Sequence, residues 1–328
     1  MTLLLYNLNW LNMTIRVISL AVAMLLALTS CAQDSAGYYG TDCGEHAVVV
    51  APKTPDSATF AGETLRLDRY DLRERMDREL ISFCYMHSST LLIIKRANRY
   101  FPVVEPILKE CGVPDDFKYL MAIESSLLVQ TVSPAGAAGL WQFMESTGRE
   151  YGLEVNSNVD ERFNVEKSTR AACAYLKEAY ARYGDWWSVA AAYNAGQGRI
   201  TRELERQGES SALDLWLNTE TSRYMFRIMA LKTIMESPQE YGFRLTPAQL
   251  YPPLAYDTVS VTTGIVSLSE WAVQHGVSYY QLKDANRWLR GSSLINKSGK
   301  KYDILIIRQE SAHYDPEATV PHNPAWCR

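Results

Sequence analysis

The chain has 328 residues, enough for roughly two domains of ordinary size. With 47% hydrophobic and 21% charged residues, its composition is that of a globular protein and excludes a disordered or fibrous one. A net charge of −4 excludes a broadly basic chain, so nothing at this level points to nucleic acid as a partner.

Arg16 precedes an apolar run from Val17 to Leu28, of signal-peptide length and short for a bilayer span. Met13 offers an alternative start, since Met13-Thr14-Ile15-Arg16 makes a more usual n-region. The run closes on Leu28-Thr29-Ser30-Cys31, which resembles a bacterial lipobox. The resemblance implies that residues 1–30 are a lipoprotein signal peptide and that Cys31 carries lipid, anchoring the chain to a membrane without spanning it. The other reading is a plain secretory peptide with an incidental cysteine. Ala32 after the cysteine implies, by analogy, the outer membrane, with the protein in the cell envelope facing the periplasm. Five cysteines remain, at 43, 84, 111, 173 and 327; an odd number leaves at least one unpaired, and no pairing can be deduced. No CxxC or His-rich spacing suggests a metal.

Residues 31–62 are small, polar and Pro-containing, and read as a tether. From Leu65 to Glu79 a helical beat runs through Leu65, Leu72, Met76 and Leu80, and the charged run from Asp71 to Leu80 reads as a solvated helix face. A second helix is predicted over 89–100 and a third over 103–111, stopped by Gly112. Residues 63–112 thus form a helical extension. No strand periodicity occurs between 63 and 240, so this part is predicted to be mainly α.

The central stretch runs from Pro114 to Gln142. Pro114 and Asp115 suit a helix start, with Asp115 or Asp116 able to accept orphan N–H groups. Phe117, Leu120, Met121, Leu127 and Leu128 follow at helical spacing. Glu124 falls on the same stripe, where a core-facing helix would carry Leu or Ile. A buried carboxyl there would have a raised pKa and could hold the proton a general acid needs; at the stripe's edge it would simply reach water. Ser133, Pro134, Gly136 and Gly139 make a small-residue loop open to close ligand approach, and Leu140 to Met144 add aromatic surface and one amide, as a sugar site requires. Further helices are predicted over 165–183, 186–195 and 219–236. On spacing alone, Tyr193 is core or cleft, and Asn194 a cap or a ligand group.

Three motifs in order, Glu124-Ser125, Ser133 to Gln142 (Ser-Pro-x-Gly-Ala-x-Gly-Leu-x-Gln) and Ala192-Tyr193-Asn194-Ala195-Gly196, resemble the catalytic domain of soluble-lytic-transglycosylase type, which has a goose-lysozyme-like fold. Trp141 stands where many members have Met, as in the membrane-bound lytic murein transglycosylase D type. The resemblance implies that residues 113–245 form the catalytic domain, with Glu124 as catalytic acid and Ser133, Gln142, Tyr193, Asn194 and Tyr224 lining the glycan groove.

Pro247, Pro252 and Pro253 mark a linker. Residues 256–310 then read strand, helix, helix, strand, and with His275-Gly276-Val277 and Asn286-x-Trp288-Leu289 they resemble a LysM module, which implies glycan binding. The family's Gly-Asp-Thr-Leu is here Gly264 to Leu268, a departure that bears on affinity more than on fold. A core of this size is expected to lean on its neighbour. Residues 311–328 read as an irregular tail.

The reading that results is a mainly α, lysozyme-like enzyme with a small βααβ module, a lipid-anchored transglycosylase acting on peptidoglycan glycan strands without metal or organic cofactor. The resemblance further implies cleavage of the MurNAc–GlcNAc β-1,4 bond with substrate assistance and a 1,6-anhydro product. A lysozyme-like hydrolase and a non-catalytic wall-binding lipoprotein are the alternatives.

Overall fold

The computed structural model describes residues 50–327; the signal segment, Cys31 and Cys43 lie outside the described residues. Two short antiparallel strands come first, β1 (Ser57–Phe60) and β2 (Glu63–Arg66), with Phe60 opposite Glu63. Ala61 and Gly62 between them both have positive φ, 54° and 83°, the two-residue turn whose twist matches the strands. This hairpin departs from the expected tether and from a helical beat at Leu65. Its cause is non-local: Ala58 and Phe60 are buried, and the Ala61 N–H donates to Asp116 Oδ2 at 2.7 Å. The same carboxylate accepts from Lys232 Nζ at 2.7 Å and caps no helix, so the expected role of Asp116 is corrected.

Helix α1 (Tyr70–Tyr85) includes the run expected to be solvated. Only Arg73, Glu74 and Arg78 of that run are exposed, which corrects the reading: Arg75 donates to Leu213 O and Ser222 O, and Glu79 is only 1% exposed and accepts two bonds from Arg223, at 2.7 and 3.0 Å. Helix α2 (His87–Cys111) is one helix where two were predicted, continuous through Pro102 and Pro106. Each proline costs about 3 kcal/mol in a helix interior. Phe101, Val104, Ile107 and Leu108 are buried along one face, and at about 1.5–3 kcal/mol each they offset that cost.

Then follow α3 (Phe117–Ser125), α4 (Glu145–Glu150), α5 (Val165–Tyr183), α6 (Trp186–Ala195), α7 (Gln197–Gln207) and α8 (Thr219–Glu236). Helix α8 is the central wall: α1, α3 and α6 all pack on it, while α2 packs on α5. Its sequence suits that place, since Met225, Phe226, Ile228, Met229, Leu231 and Ile234 bury most of its circumference.

The second unit is β3 (Tyr256–Val261), α9 (Leu268–Gln274), α10 (Tyr279–Ala285) and β4 (Tyr302–Ile307), with the strands antiparallel and Val259 opposite Ile304. Asn286 is buried and stitches α10 to β4, donating to Leu282 O at 2.9 Å and Leu305 O at 2.7 Å and accepting from Leu305 N at 2.8 Å. The unit docks on residues 154–160: Asp160 N–H donates to Trp288 O and Arg290 N–H to Asn158 O, both at 2.9 Å, and Lys300 pairs with Glu154 at 2.5 Å.

The C-terminal tail is irregular yet not loose. Trp326 is 1% exposed, donates through Nε1 to Met235 O at 2.8 Å, and packs edge-on against Phe101. Among the described residues, cysteines 84, 111, 173 and 327 are thiols, and burial, then the neighbouring Cys111, pushes the Cys173 thiol up to about 12. Among the same residues no helix is long and apolar enough to cross a membrane.

Trp326→Ala should destabilise the fold by about 3–5 kcal/mol, the range for a buried aromatic removed from a core. Denaturant unfolding checks this; a loss below about 1 kcal/mol would mean that the tail contributes little to the core.

Candidate active site

Glu124 is the last residue but one of α3. Directly behind it the helix is broken by two left-handed residues, Ser126 (φ 51°) and Leu127 (φ 57°). Ser125 makes that exit possible: its Oγ donates to Met121 O at 3.1 Å and accepts from Leu127 N at 3.2 Å. Arg96 of α2 fixes the turn from outside, donating to Ser126 O at 3.0 Å. The Glu-Ser pair thus ends the helix just after the carboxyl and turns the chain away.

Glu124 is half-buried, and Tyr224 of α8 donates its hydroxyl to Oε1. Burial raises the Glu124 carboxyl to about 7; the Tyr224 hydrogen bond and the charge of Arg227 pull it down, and Glu220 pushes it up. Burial, and then the nearby Glu124 carboxyl, push both Tyr193 and Tyr224 well above the usual phenol range. Tyr193 donates to Trp141 O at 2.7 Å, and its ring packs against Trp141, Phe143 and Tyr175. A carboxyl in these surroundings is poised to give up a proton near neutral pH.

The loop before α4 walls the site. Ser133 Oγ accepts from Ala137 N at 3.0 Å, and Gln142, itself at φ 49°, donates through Nε2 to Gly139 O at 2.8 Å and Thr131 O at 3.1 Å. Gly139 has φ 80°, and a Cβ there would lie 1.9 Å from Arg162 O. Arg162 in turn donates to Gly136 O at 2.9 Å and Phe143 O at 3.1 Å, clamping the loop from beneath. The aromatic surface expected at 140–144 is corrected: Trp141 and Phe143 are buried, and Trp141 Nε1 donates to Thr169 Oγ1 at 2.9 Å. They fill the core beneath the loop.

Of the expected site residues, Glu124, Tyr193 and Tyr224 converge. Ser133 and Gln142 brace the loop, and Asn194 accepts from Thr221 Oγ1 at 2.9 Å, joining α6 to α8. Sequence reasoning missed Glu220 and Arg227. Both act on Glu124, and with Tyr224 they share one face of α8 at i, i+4 and i+7, a spacing that could have flagged them once Tyr224 was placed. Asp160 and Glu161, the carboxyls of the loop before α5, are tied to Arg162 at 2.7 Å and Lys167 at 2.5 Å.

Residues 106–215 match the family described as Transglycosylase SLT domain, and residues 257–313 the Soluble lytic transglycosylase C-terminal LysM-like domain. The chain therefore carries a mainly helical, lysozyme-like SLT domain, an enzyme domain, followed by a small LysM-like one. Over 258 residues it is 31% identical to the membrane-bound lytic murein transglycosylase D of Escherichia coli (strain K12). That alignment covers 76% of this chain and 55% of the relative, so the chain spans about half its length. Among solved structures, the 70 kDa soluble lytic transglycosylase of Escherichia coli is 22% identical, covering 42% of this chain and 24% of its own, with a TM-score of 0.36. The lytic transglycosylase Slt of Pseudomonas aeruginosa is also 22% identical, covering 40% and 23%, with a TM-score of 0.32.

The raised carboxyl has a signature in stability. Glu124 sits at about 7 in the fold against an ordinary 4.5, so its stabilising contribution is full below 4.5 and is lost as pH rises through 7. Glu124→Gln carries no such charge and should be more stable than wild type at pH 8 by roughly 1–3 kcal/mol, with the gap closing near pH 4. Denaturant titrations at the two pH values test this, and a pH-independent gap would mean that the carboxyl titrates normally. A second test concerns the loop: Gly139→Ala should cost more than 2 kcal/mol, roughly, since it combines a backbone clash with left-handed strain.

Proposed function

We propose that the chain cleaves the β-1,4 bond between MurNAc and GlcNAc in peptidoglycan as a lytic transglycosylase, leaving 1,6-anhydroMurNAc ends. The observation that carries this reading is Glu124, a half-buried carboxyl raised to about 7 and held by Tyr224. Glu124 protonates the glycosidic oxygen of the departing GlcNAc. The MurNAc N-acetyl group assists at the anomeric carbon. The ionised Glu124 then takes the proton of the C6 hydroxyl as that oxygen closes the anhydro ring, so no water is consumed. Tyr224 steadies the carboxylate between the two steps, because its hydrogen bond favours the ionised form. Ser133, Gln142, Tyr193 and Asn194 position the sugars by shaping the walls of the groove. The LysM-like domain holds the strand, and the motif at Cys31, with a relative named membrane-bound, supports a lipid-anchored protein of the cell envelope.

A hydrolytic second reading has one observation in its favour. Glu220 is a second carboxyl within electrostatic reach of Glu124, which the motifs alone did not supply. In that reading Glu220 would steer a water where the C6 hydroxyl otherwise attacks.

Glu124→Gln should lower turnover by at least about 10²–10⁴-fold, the ordinary worth of acid–base catalysis. Digestion of purified wall in ¹⁸O-water should give unlabelled anhydro termini. Labelled reducing ends as the main product, lost in Glu220→Gln, would establish the hydrolase. Activity of Glu124→Gln within a few-fold of wild type would sink both readings.

A further inference from the structure

Between α10 and the chain leaving the Glu124 turn lies a cleft of about 230 Å³ that the proposed chemistry does not use. Gln130 borders it from the helical domain, while Tyr280, Lys283, Asp284, Arg287 and Arg290 face it from the LysM-like domain. Gln130 is six residues beyond Glu124, and six residues span at most about 20 Å, so this wall lies within that reach of the carboxyl.

Three cations meet one carboxylate there. Asp284 pairs with Arg287, and Lys283 donates to the carbonyls of Leu289 and, at 2.8 Å, Gly291. The Arg290 guanidinium lies 4.4 Å from the centre of the Phe163 ring, and its backbone N–H is held by Asn158 O. Burial, and then the charge of Arg290, hold the Lys283 ammonium below its ordinary range. Tyr280 stands 74% exposed beside them and offers an apolar ring with a polar tip. Arg287 is held by Asp284 and Arg290 by the Phe163 ring, contacts that place both guanidinium groups at the cleft and lower the cost of binding a ligand there.

We propose that this cleft binds a carboxylate of the peptide stem carried by the glycan strand in the groove. The inference rests on the reading of peptidoglycan as substrate, whose muramic acid bears short acidic peptides. A guanidinium fork matches a carboxylate in plane and spacing, and a cleft of this volume suits one small acidic group better than an extended polyanion. Because its two sides come from the two domains, a stem seated here sets which glycosidic bond stands before Glu124.

The test is titration calorimetry of the full chain with the GlcNAc–MurNAc disaccharide bearing its peptide stem and with the same disaccharide stripped of it. The stem-bearing ligand should bind about tenfold tighter or more, as charge-assisted contacts to a carboxylate predict. Arg287→Gln with Arg290→Gln should erase that preference while thermal unfolding stays cooperative. If the double variant does not fold, Arg287→Lys alone, which keeps the charge and loses the fork, should still lower the preference several-fold. Equal affinity of wild type for the two ligands, or a preference intact in the variants, overturns the proposal. A stem preference erased by the variants, in a protein that cuts no glycan strand, would support the site and overturn the transglycosylase reading instead.

Discussion

The structure depends on keeping one carboxyl partly out of water beside a tyrosine on a facing helix. Burial raises Glu124, and the Tyr224 hydroxyl holds it back from rising further. That balance requires α3 and α8 to stay in register. The ties that keep them so are themselves charged or aromatic: Lys232 of α8 meets Asp116 at the start of α3, Arg223 meets the buried Glu79 of α1, and Trp326 seals the far end against Met235. Removing one partner of the Glu79–Arg223 pair would leave an unpaired charge in the interior, a cost of several kcal/mol and larger than the pair's net worth.

Around this centre the backbone is under local strain. Four non-glycine residues have positive φ among the described residues, and Ser126, Leu127 and Gln142 adjoin the site. Conformations of this kind cost of order 1–3 kcal/mol each and persist only when their surroundings over-determine them. Here the determinants are visible. Ser125 bonds both sides of the helix exit, Arg96 holds Ser126, and the Gln142 amide grips two carbonyls of its own loop. Gly139 and Arg162 complete the clamp, so the loop is a fixed wall and not a flap.

The LysM-like domain is bound into the same body. Asn158 is the joint: its side chain donates to Ser293 O and accepts from Ile295 N, both at 2.8 Å, while its carbonyl takes Arg290 N–H. A small two-stranded unit has too little core to stand well alone, and pairing its loops with residues 154–160 adds both hydrogen bonds and buried surface. The consequence is that the two domains are held at a set distance from one another.

Much of this was legible in the chain. Periodic apolar spacing with a glycine stop marks α5, because a helix that buries one face must repeat its apolar residues at helical intervals wherever it packs, and the apolar residues from Tyr224 to Met235, spread over more than one face, mark α8 as a helix packed on several sides. Glu124 stood out for the same reason, a carboxyl where the stripe called for Leu or Ile. Other features depended on partners distant in sequence. Whether Leu65 continued a helix or closed a hairpin was decided by Asp116 and the core around Phe60. Whether Pro102 broke α2 was decided by what its buried face packs on. Trp141 is core because Thr169 takes its N–H, and Glu220 and Arg227 matter because α8 turns that face toward α3. A sequence states which side chains are present and at what spacing. Which of them meet, and so which charges are buried, raised or paired, is settled only when the helices are set against one another, since electrostatic and packing energies depend on distances that spacing along the chain does not contain.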